Sequence, residues 1–147
     1  MPLAGRQRDR IPGMRATSSC QSGFRHTVKV RQHALTVDEP EDVGGADTGP
    51  SPQELLAASL ASCTAITMQM YAQRKGWNLE GVEVDCEYSP AERGAPTKFE
   101  LILKMPETLS DEQVDRLRVI AAKCPIHRTL DGEVMFHERV ERAQLAR

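Results

Sequence analysis

Ser51-Pro-Gln-Glu-Leu-Leu-Ala-Ala-Ser-Leu-Ala-Ser-Cys63 decides how this chain folds. Ser51 can cap a helix, Pro52 suits the first helical position, and Glu54 completes a capping box. The run that follows carries no charged residue from position 55 to position 73. A helix that is apolar or small on every side must be buried, in lipid or in protein. Its length approaches that of a membrane span, but Ser59, Ser62, Thr64, Thr67 and Gln69 make it too polar for one. The expectation is a central core helix, with alanines and serines that let neighbouring backbones, including those of a second subunit, approach closely. Arg74-Lys75-Gly76 supplies cations to the helix end and a glycine to stop it.

Before this helix, hydrophobic and polar residues roughly alternate over residues 24–37. Val28 and Val30 share one side of a first run, Leu35 and Val37 one side of a second, and Gln32-His33 forms the turn of a β-hairpin. A weaker strand signal precedes it over residues 15–20. Residues 38–50 are rich in Asp, Glu, Gly and Pro, and the Gly44-Gly45 and Gly49-Pro50 pairs predict an irregular loop. After Trp77 the period switches to two. Val82, Val84, Cys86 and Tyr88 face one way, and Phe99, Leu101, Leu103 and Met105 repeat the pattern, so two half-buried strands are joined by the Pro- and Gly-bearing residues 89–96. Their acidic and lysine-bearing outer faces would pair across the hairpin. Ser110 with Gln113 opens a second helix with Val114, Leu117, Ile120 and Ala121 on its inner stripe, ending at Cys124-Pro125. A short helical turn and a last strand over residues 134–140 complete the order ββ-α-ββ-α-β, which is an α+β domain with helices against antiparallel sheet.

Length and composition agree with one such domain. The 147 residues are 39% hydrophobic and 27% charged, ordinary for a globular protein. A net charge of -2 leaves no electrostatic footprint for nucleic acid. Arg6, Arg8, Arg10 and Arg15 cluster at the start without an apolar h-region, unlike a secretory signal. Residues 1–13 are read as a disordered lead-in, with Met14 as an alternative start, residues 14–141 as the domain and residues 142–147 as a charged tail. The expected compartment is therefore the cytoplasm, where thiols stay reduced. Four cysteines there are catalytic, metal-binding or buried rather than structural disulfides.

Two of them are housed very differently. Cys63 lies in mid-helix, where the backbone dipole gives no help in forming a thiolate. A reactive Cys63 needs a cation from elsewhere, because an apolar site alone raises a thiol's pKa. Cys124, in Lys123-Cys-Pro-Ile-His-Arg-Thr-Leu130, ends one helix and can cap the next turn, where Pro125 suits the first position and backbone N–H groups point back at the sulfur. By local chemistry it is the better-exposed of the two. A pair so housed fits divided labour, one thiol attacking and one resolving. Cys124 and His127 also have the spacing of half a zinc site, but no second such pair exists. Cys20, near a hairpin edge, and Cys86, on an apolar strand face, are assigned to packing. Glu54 is explained by its capping box, and nine positions place it about 900° around an ideal helix from Cys63, on the opposite side. For Glu54 to serve Cys63 the helix must break between them, or the two must meet across a subunit boundary.

Together, Gly49-Pro-Ser-Pro-Gln-Glu-Leu-Leu-Ala-Ala-Ser-Leu-Ala-Ser-Cys-Thr-Ala65 and Lys123-Cys-Pro-Ile-His-Arg-Thr-Leu130 resemble the OsmC/Ohr family of hydroperoxide-reducing proteins, over roughly residues 23–140. The resemblance implies an OsmC-like α+β fold, with antiparallel sheets packed around a buried central helix in an intertwined homodimer that has its active sites at the subunit interface. It places the peroxidatic thiol at Cys63 and the resolving thiol at Cys124. It places the activating arginine at Arg25, with Arg31 as a weaker match, and the family's glutamate at Glu54. Organic-hydroperoxide reductases carry that glutamate directly after the proline, where this chain has Gln53, so the chain is more similar to the broader OsmC-like branch. The implied activity is a thiol peroxidase acting on organic hydroperoxides, hydrogen peroxide or both, through a Cys63 sulfenate and a Cys63–Cys124 disulfide. It implies recycling by an external dithiol, with no metal, organic cofactor, nucleic acid or membrane involved. Two other readings compete: an OsmC-like redox sensor or small-ligand binding module without fast turnover, and a zinc-dependent hydrolase built on Cys63, Cys124 and His127.

Overall fold

Short strands rich in Thr, Ser and Val open the computed structural model, which describes residues 14–144 of the chain. The expected lead-in over residues 1–13 and the last three tail residues lie outside the described residues. The chain divides into two compact units, one ending at Leu56 and the next beginning at Ala57.

In the first unit, β1 (Thr17–Ser22), β2 (Arg25–Val30) and β3 (His33–Val37) form an antiparallel sheet in sequence order. The weakly signalled first strand is thus real. Val28 pairs with Leu35 and Val30 with His33, so the turn is Arg31-Gln32, one residue before the expected Gln32-His33, and His33 belongs to β3. The β1–β2 turn uses Gly23 at φ 53°, and a bulge lies between Cys20 and Ser22. Residues 38–50 are irregular as expected, apart from one 3₁₀ turn, Glu41–Val43. Gly45 and Gly49 serve close approach, since a Cβ at either would collide with the carbonyl of Glu39 or Thr36.

Helix α1 (Pro52–Lys75) begins in the first unit and continues into the second. The Ser51 hydroxyl accepts from the Glu54 N–H at 3.2 Å, and the Glu54 carboxylate accepts from the Ser51 N–H at 3.1 Å, so the capping box forms as read. Within one chain the helix is buried along a single stripe, Leu60, Thr64, Met68 and Ala72, spaced at i+4. Its other side leaves Ile66 and Met70 exposed, so burial on every side is not reached by one copy of the chain. By length and composition α1 is also apolar enough to cross a bilayer.

The rest of the second unit packs against that stripe. β4 (Glu83–Ser89) and β5 (Lys98–Lys104) form a two-stranded antiparallel sheet, with Tyr88 stacked on Phe99 at 4.9 Å and Lys104 paired to Glu83 and Asp85. The charge pairing is incomplete, since Glu87 faces Glu100 and Lys98 bonds to Glu100 of its own strand. Helix α2 (Asp111–Ala121) starts at the Ser110–Gln113 capping box and buries Leu117, Ile120 and Ala121. Met68, Ala72, Leu79, Leu117 and Ala121 make the core, flanked by Val84, Leu103 and Met105. Helix α3 (Pro125–Asp131) follows at once. The strand expected over residues 134–140 does not form. Residues 133–144 have no regular secondary structure, and Met135 and Phe136 are 96% and 86% exposed. They pair with neither edge of the β4–β5 hairpin.

Candidate functional site

Cys63 and Cys124 meet where α1 passes the start of α3. The Cys63 thiol interacts with Cys124, with the Ile126 N–H and with the Thr67 hydroxyl. Burial pushes the Cys63 thiol up from its ordinary value and Cys124 adds to the rise, while the Ile126 and Thr67 donors pull it back. Cys124 is the N-cap of α3, and its sulfur accepts from the His127 N–H at 3.2 Å. Consecutive N–H groups of one helical turn therefore point at the two sulfurs. The mid-helix position of Cys63 does not deprive it of backbone donors, because α3 supplies one that α1 cannot. Exposure runs opposite to the local expectation: Cys124 is 0% exposed, whereas Cys63 is half-buried. Of the two, Cys63 is the more accessible, and Cys124 is buried next to Thr64. Neither is in a disulfide, and the same holds for Cys20 and Cys86.

Thr64 is a site residue that the motif alone did not single out. It is 0% exposed, its hydroxyl donates to the Leu60 carbonyl at 2.8 Å, and it lies 3.8 Å from the Cys124 sulfur. The available signal was its place on the buried i+4 stripe, directly after Cys63.

Glu54 is held by the capping box, and the Ser51 N–H and hydroxyl keep its carboxyl below the ordinary carboxylate range. Helix α1 is unbroken from Pro52 to Lys75, so the option that it breaks between Glu54 and Cys63 is closed. Arg25 opens β2, is exposed, and makes no ion pair among the described residues, with Glu54 or otherwise. It lines a cavity of about 180 Å³ with Phe24, Asp38, Gly45 and Thr48. Asp38, 1% exposed, accepts from the Thr48 hydroxyl at 2.6 Å and from the Glu39 and Thr48 N–H groups at 2.8 and 3.1 Å. These bonds, led by the Thr48 hydroxyl, hold its carboxyl below the ordinary range. They fix the loop that walls the Arg25 cavity. Arg31 lies in the β2–β3 turn at φ 53°, outside that cavity.

Cys20 is exposed and donates to the Gly23 carbonyl at 3.7 Å, and Cys86 sits on the inner face of β4, where burial pushes its thiol up. Among the described residues no cluster of three or more His, Cys, Asp or Glu side chains could hold a metal ion. The His127 side chain instead lines an open cavity of about 740 Å³ with Leu101, Leu103, Met105, Val114 and Arg118.

Residues 44–138 match the model of the OsmC family, described as OsmC-like protein, so the chain belongs to that family. The span includes α1, both cysteine motifs and the β4–β5 sheet. Among solved structures, an OsmC-like protein from Mycoplasma pneumoniae superposes with a TM-score of 0.69 at 19% identity, over 81% of this chain and 87% of that one. An osmotic stress induced and detoxification response protein from Psychrobacter arcticus gives 0.68 at 22% identity, over 78% and 85%. An organic hydroperoxide resistance protein OsmC from Legionella pneumophila gives 0.59 at 22% identity, over 80% and 90%. No curated protein matches the chain. The fold is thus the OsmC/Ohr fold: mixed α+β, with antiparallel sheets and a central helix.

Proposed function

We propose that this chain is a cysteine-based thiol peroxidase that reduces organic hydroperoxides, hydrogen peroxide or both. One observation carries the reading: a half-buried Cys63 thiol in contact with a fully buried Cys124 thiol, each sulfur met by an N–H of the first turn of α3. Proteins named for organic hydroperoxide resistance share the fold, which supports a peroxide substrate.

The cycle begins at Cys63, the thiol that substrate can reach. Because burial favours its protonated form, a cation must stabilise the thiolate, and Arg25 is assigned that role, with Glu54 holding the guanidinium. The thiolate attacks the distal peroxide oxygen. Water or an alcohol leaves, and Cys63 becomes a sulfenic acid. Cys124 condenses with it to a disulfide, and an external dithiol restores both thiols. The enzyme acts as a homodimer in the cytoplasm, and no step calls on a metal or an organic cofactor. The subunit boundary is the remaining way for Glu54 to serve Cys63 along an unbroken helix.

The test is peroxide consumption by reduced protein with excess dithiol, cumene hydroperoxide against hydrogen peroxide, with intact mass before and after. Turnover with loss of two hydrogens per chain supports the cycle. Absence of both turnover and mass change defeats it. A second reading, a small-ligand binding module, rests on the cavity beside α3, with largely apolar walls and Glu107, Arg118 and His127 as its polar residues. Ligand binding without peroxide turnover would favour that one.

A further inference from the structure

The Thr64 hydroxyl has one proton to donate, and its carbonyl contact assigns that proton. A carbonyl oxygen can only accept, so the 2.8 Å bond to Leu60 places that proton on the Leu60 oxygen. The same hydroxyl is 3.8 Å from the Cys124 sulfur, within hydrogen-bonding reach for sulfur. With its proton committed, Thr64 can meet Cys124 only as an acceptor, and the Cys124 S–H is the donor. The His127 N–H approaches the sulfur separately and needs no proton from it. At rest, then, the Thr64 oxygen is placed as an acceptor toward Cys124.

A thiolate reverses the requirement, because it can only accept. Thr64 can then turn its O–H from Leu60 to the sulfur without moving its oxygen. The Leu60 carbonyl keeps its α-helical N–H partner, so little is lost there. Thr64 and Cys124 are each 0% exposed, so water does not readily replace the hydroxyl, and a hydrogen bond to an ion is worth more than one to a neutral group.

Resting on the peroxidase reading, we propose that Thr64 is a positioning residue for disulfide closure, accepting from the Cys124 thiol at rest and donating to its thiolate during attack. In that step the Cys124 sulfur attacks the sulfenic sulfur of Cys63. An S–S bond forms, the S–O bond breaks, and the departing hydroxide takes up the proton released by Cys124 and leaves as water. Cys124 is oxidised and the Cys63 sulfur reduced, by one electron each, the hydroperoxide having supplied the oxidation. The titratable side chain meeting Cys124 from α1 is Cys63. From α3 comes the His127 N–H, and from the end of α2 the Ala121 carbonyl, which accepts the Cys124 N–H.

The test separates the two steps. Reduced wild type, Thr64→Val and Thr64→Ser are mixed with one equivalent of cumene hydroperoxide, quenched over time, and resolved by mass into thiol, trapped sulfenate and disulfide. Thr64→Val should form sulfenate at the wild-type rate but close the disulfide about tenfold more slowly, since it lacks the donor to the ion. Its closure should also need higher pH, a displacement that a change of shape alone does not produce. Thr64→Ser should restore both. Thr64→Ala, which also lacks the hydroxyl, serves if the valine variant does not fold. Closure at the wild-type rate and pH in the variants without the hydroxyl overturns the proposal, as does a serine variant as slow as valine. Failure of wild-type Cys63 to oxidise at all overturns the peroxidase reading and this one with it, and is recognised by the absence of sulfenate.

Discussion

Cys63 and Cys124 interact directly, yet solvent reaches only Cys63. The asymmetry arises because Cys124 is buried against Thr64 on the inner stripe of α1, while Cys63 lies beside that stripe rather than on it. Under the peroxidase reading an order of events follows: the half-buried thiol meets the oxidant, and the fully buried one meets only its neighbour.

Replacing each thiol should therefore have different effects. Cys63→Ser should abolish peroxide consumption. Cys124→Ser should allow a single turnover and leave Cys63 to proceed to sulfinic acid, seen as two added oxygens in the intact mass. Full activity in Cys63→Ser would defeat the mechanism.

The reaction of Cys63 with peroxide should accelerate as pH rises. Burial places its thiol above the ordinary value, so the thiolate fraction at neutral pH is smaller than for a free cysteine and grows as pH climbs. Arg25→Gln should lower the neutral-pH rate about tenfold or more by removing the assigned cation, and Arg31→Gln should leave it unchanged. Stopped-flow rates against pH for the two variants decide which arginine acts.

Glu54→Gln separates the cap from the chemistry. Glutamine also completes a capping box, so the melting temperature at neutral pH should fall only slightly, by the lost charge contribution, while the peroxide rate falls severalfold through loss of the Arg25 partner. The charge leaves a trace in the pH dependence of stability. The folded carboxyl is held below its ordinary value, so its stabilisation is present above the unfolded pKa and is lost as pH falls through the folded one. That acid-side component should vanish in Glu54→Gln, and denaturant titrations at several pH values would show it.

Leu117, 0% exposed at the centre of the second unit, gives a stability reference away from the thiols. Leu117→Ala should cost about 2–5 kcal/mol, read from denaturant unfolding.

The exposed side of α1 carries Ile66 and Met70, and Met135 and Phe136 also stand in solvent. Under the homodimer reading a second copy covers such surface. Light scattering should give twice the mass of the 147-residue chain, and Met70→Asp should reduce it to the monomer. A monomeric wild type would remove the subunit boundary as the place where Glu54 serves Cys63.

Both capping boxes, at Ser51 and at Ser110, were legible in the sequence because the residues that form them are three apart and interact only locally. The same holds for the two-residue period of β4 and β5 and for Cys124 as the cap of α3, where Pro125 follows at once. Residues 134–140 carry enough apolar side chains to read as a strand, but a strand exists only where it pairs, and in the structure these residues pair with neither β4 nor β5. The exposures of Cys63 and Cys124 were inverted for a related reason: capping predicts which backbone groups meet a sulfur, not how much protein lies over it. Local spacing thus determined the helices, the strands before residue 105 and the caps. Only tertiary structure could bring the N–H groups of α3 to a cysteine of α1, bury Cys124 against Thr64 and leave Cys63 within reach, because those contacts join residues some sixty positions apart.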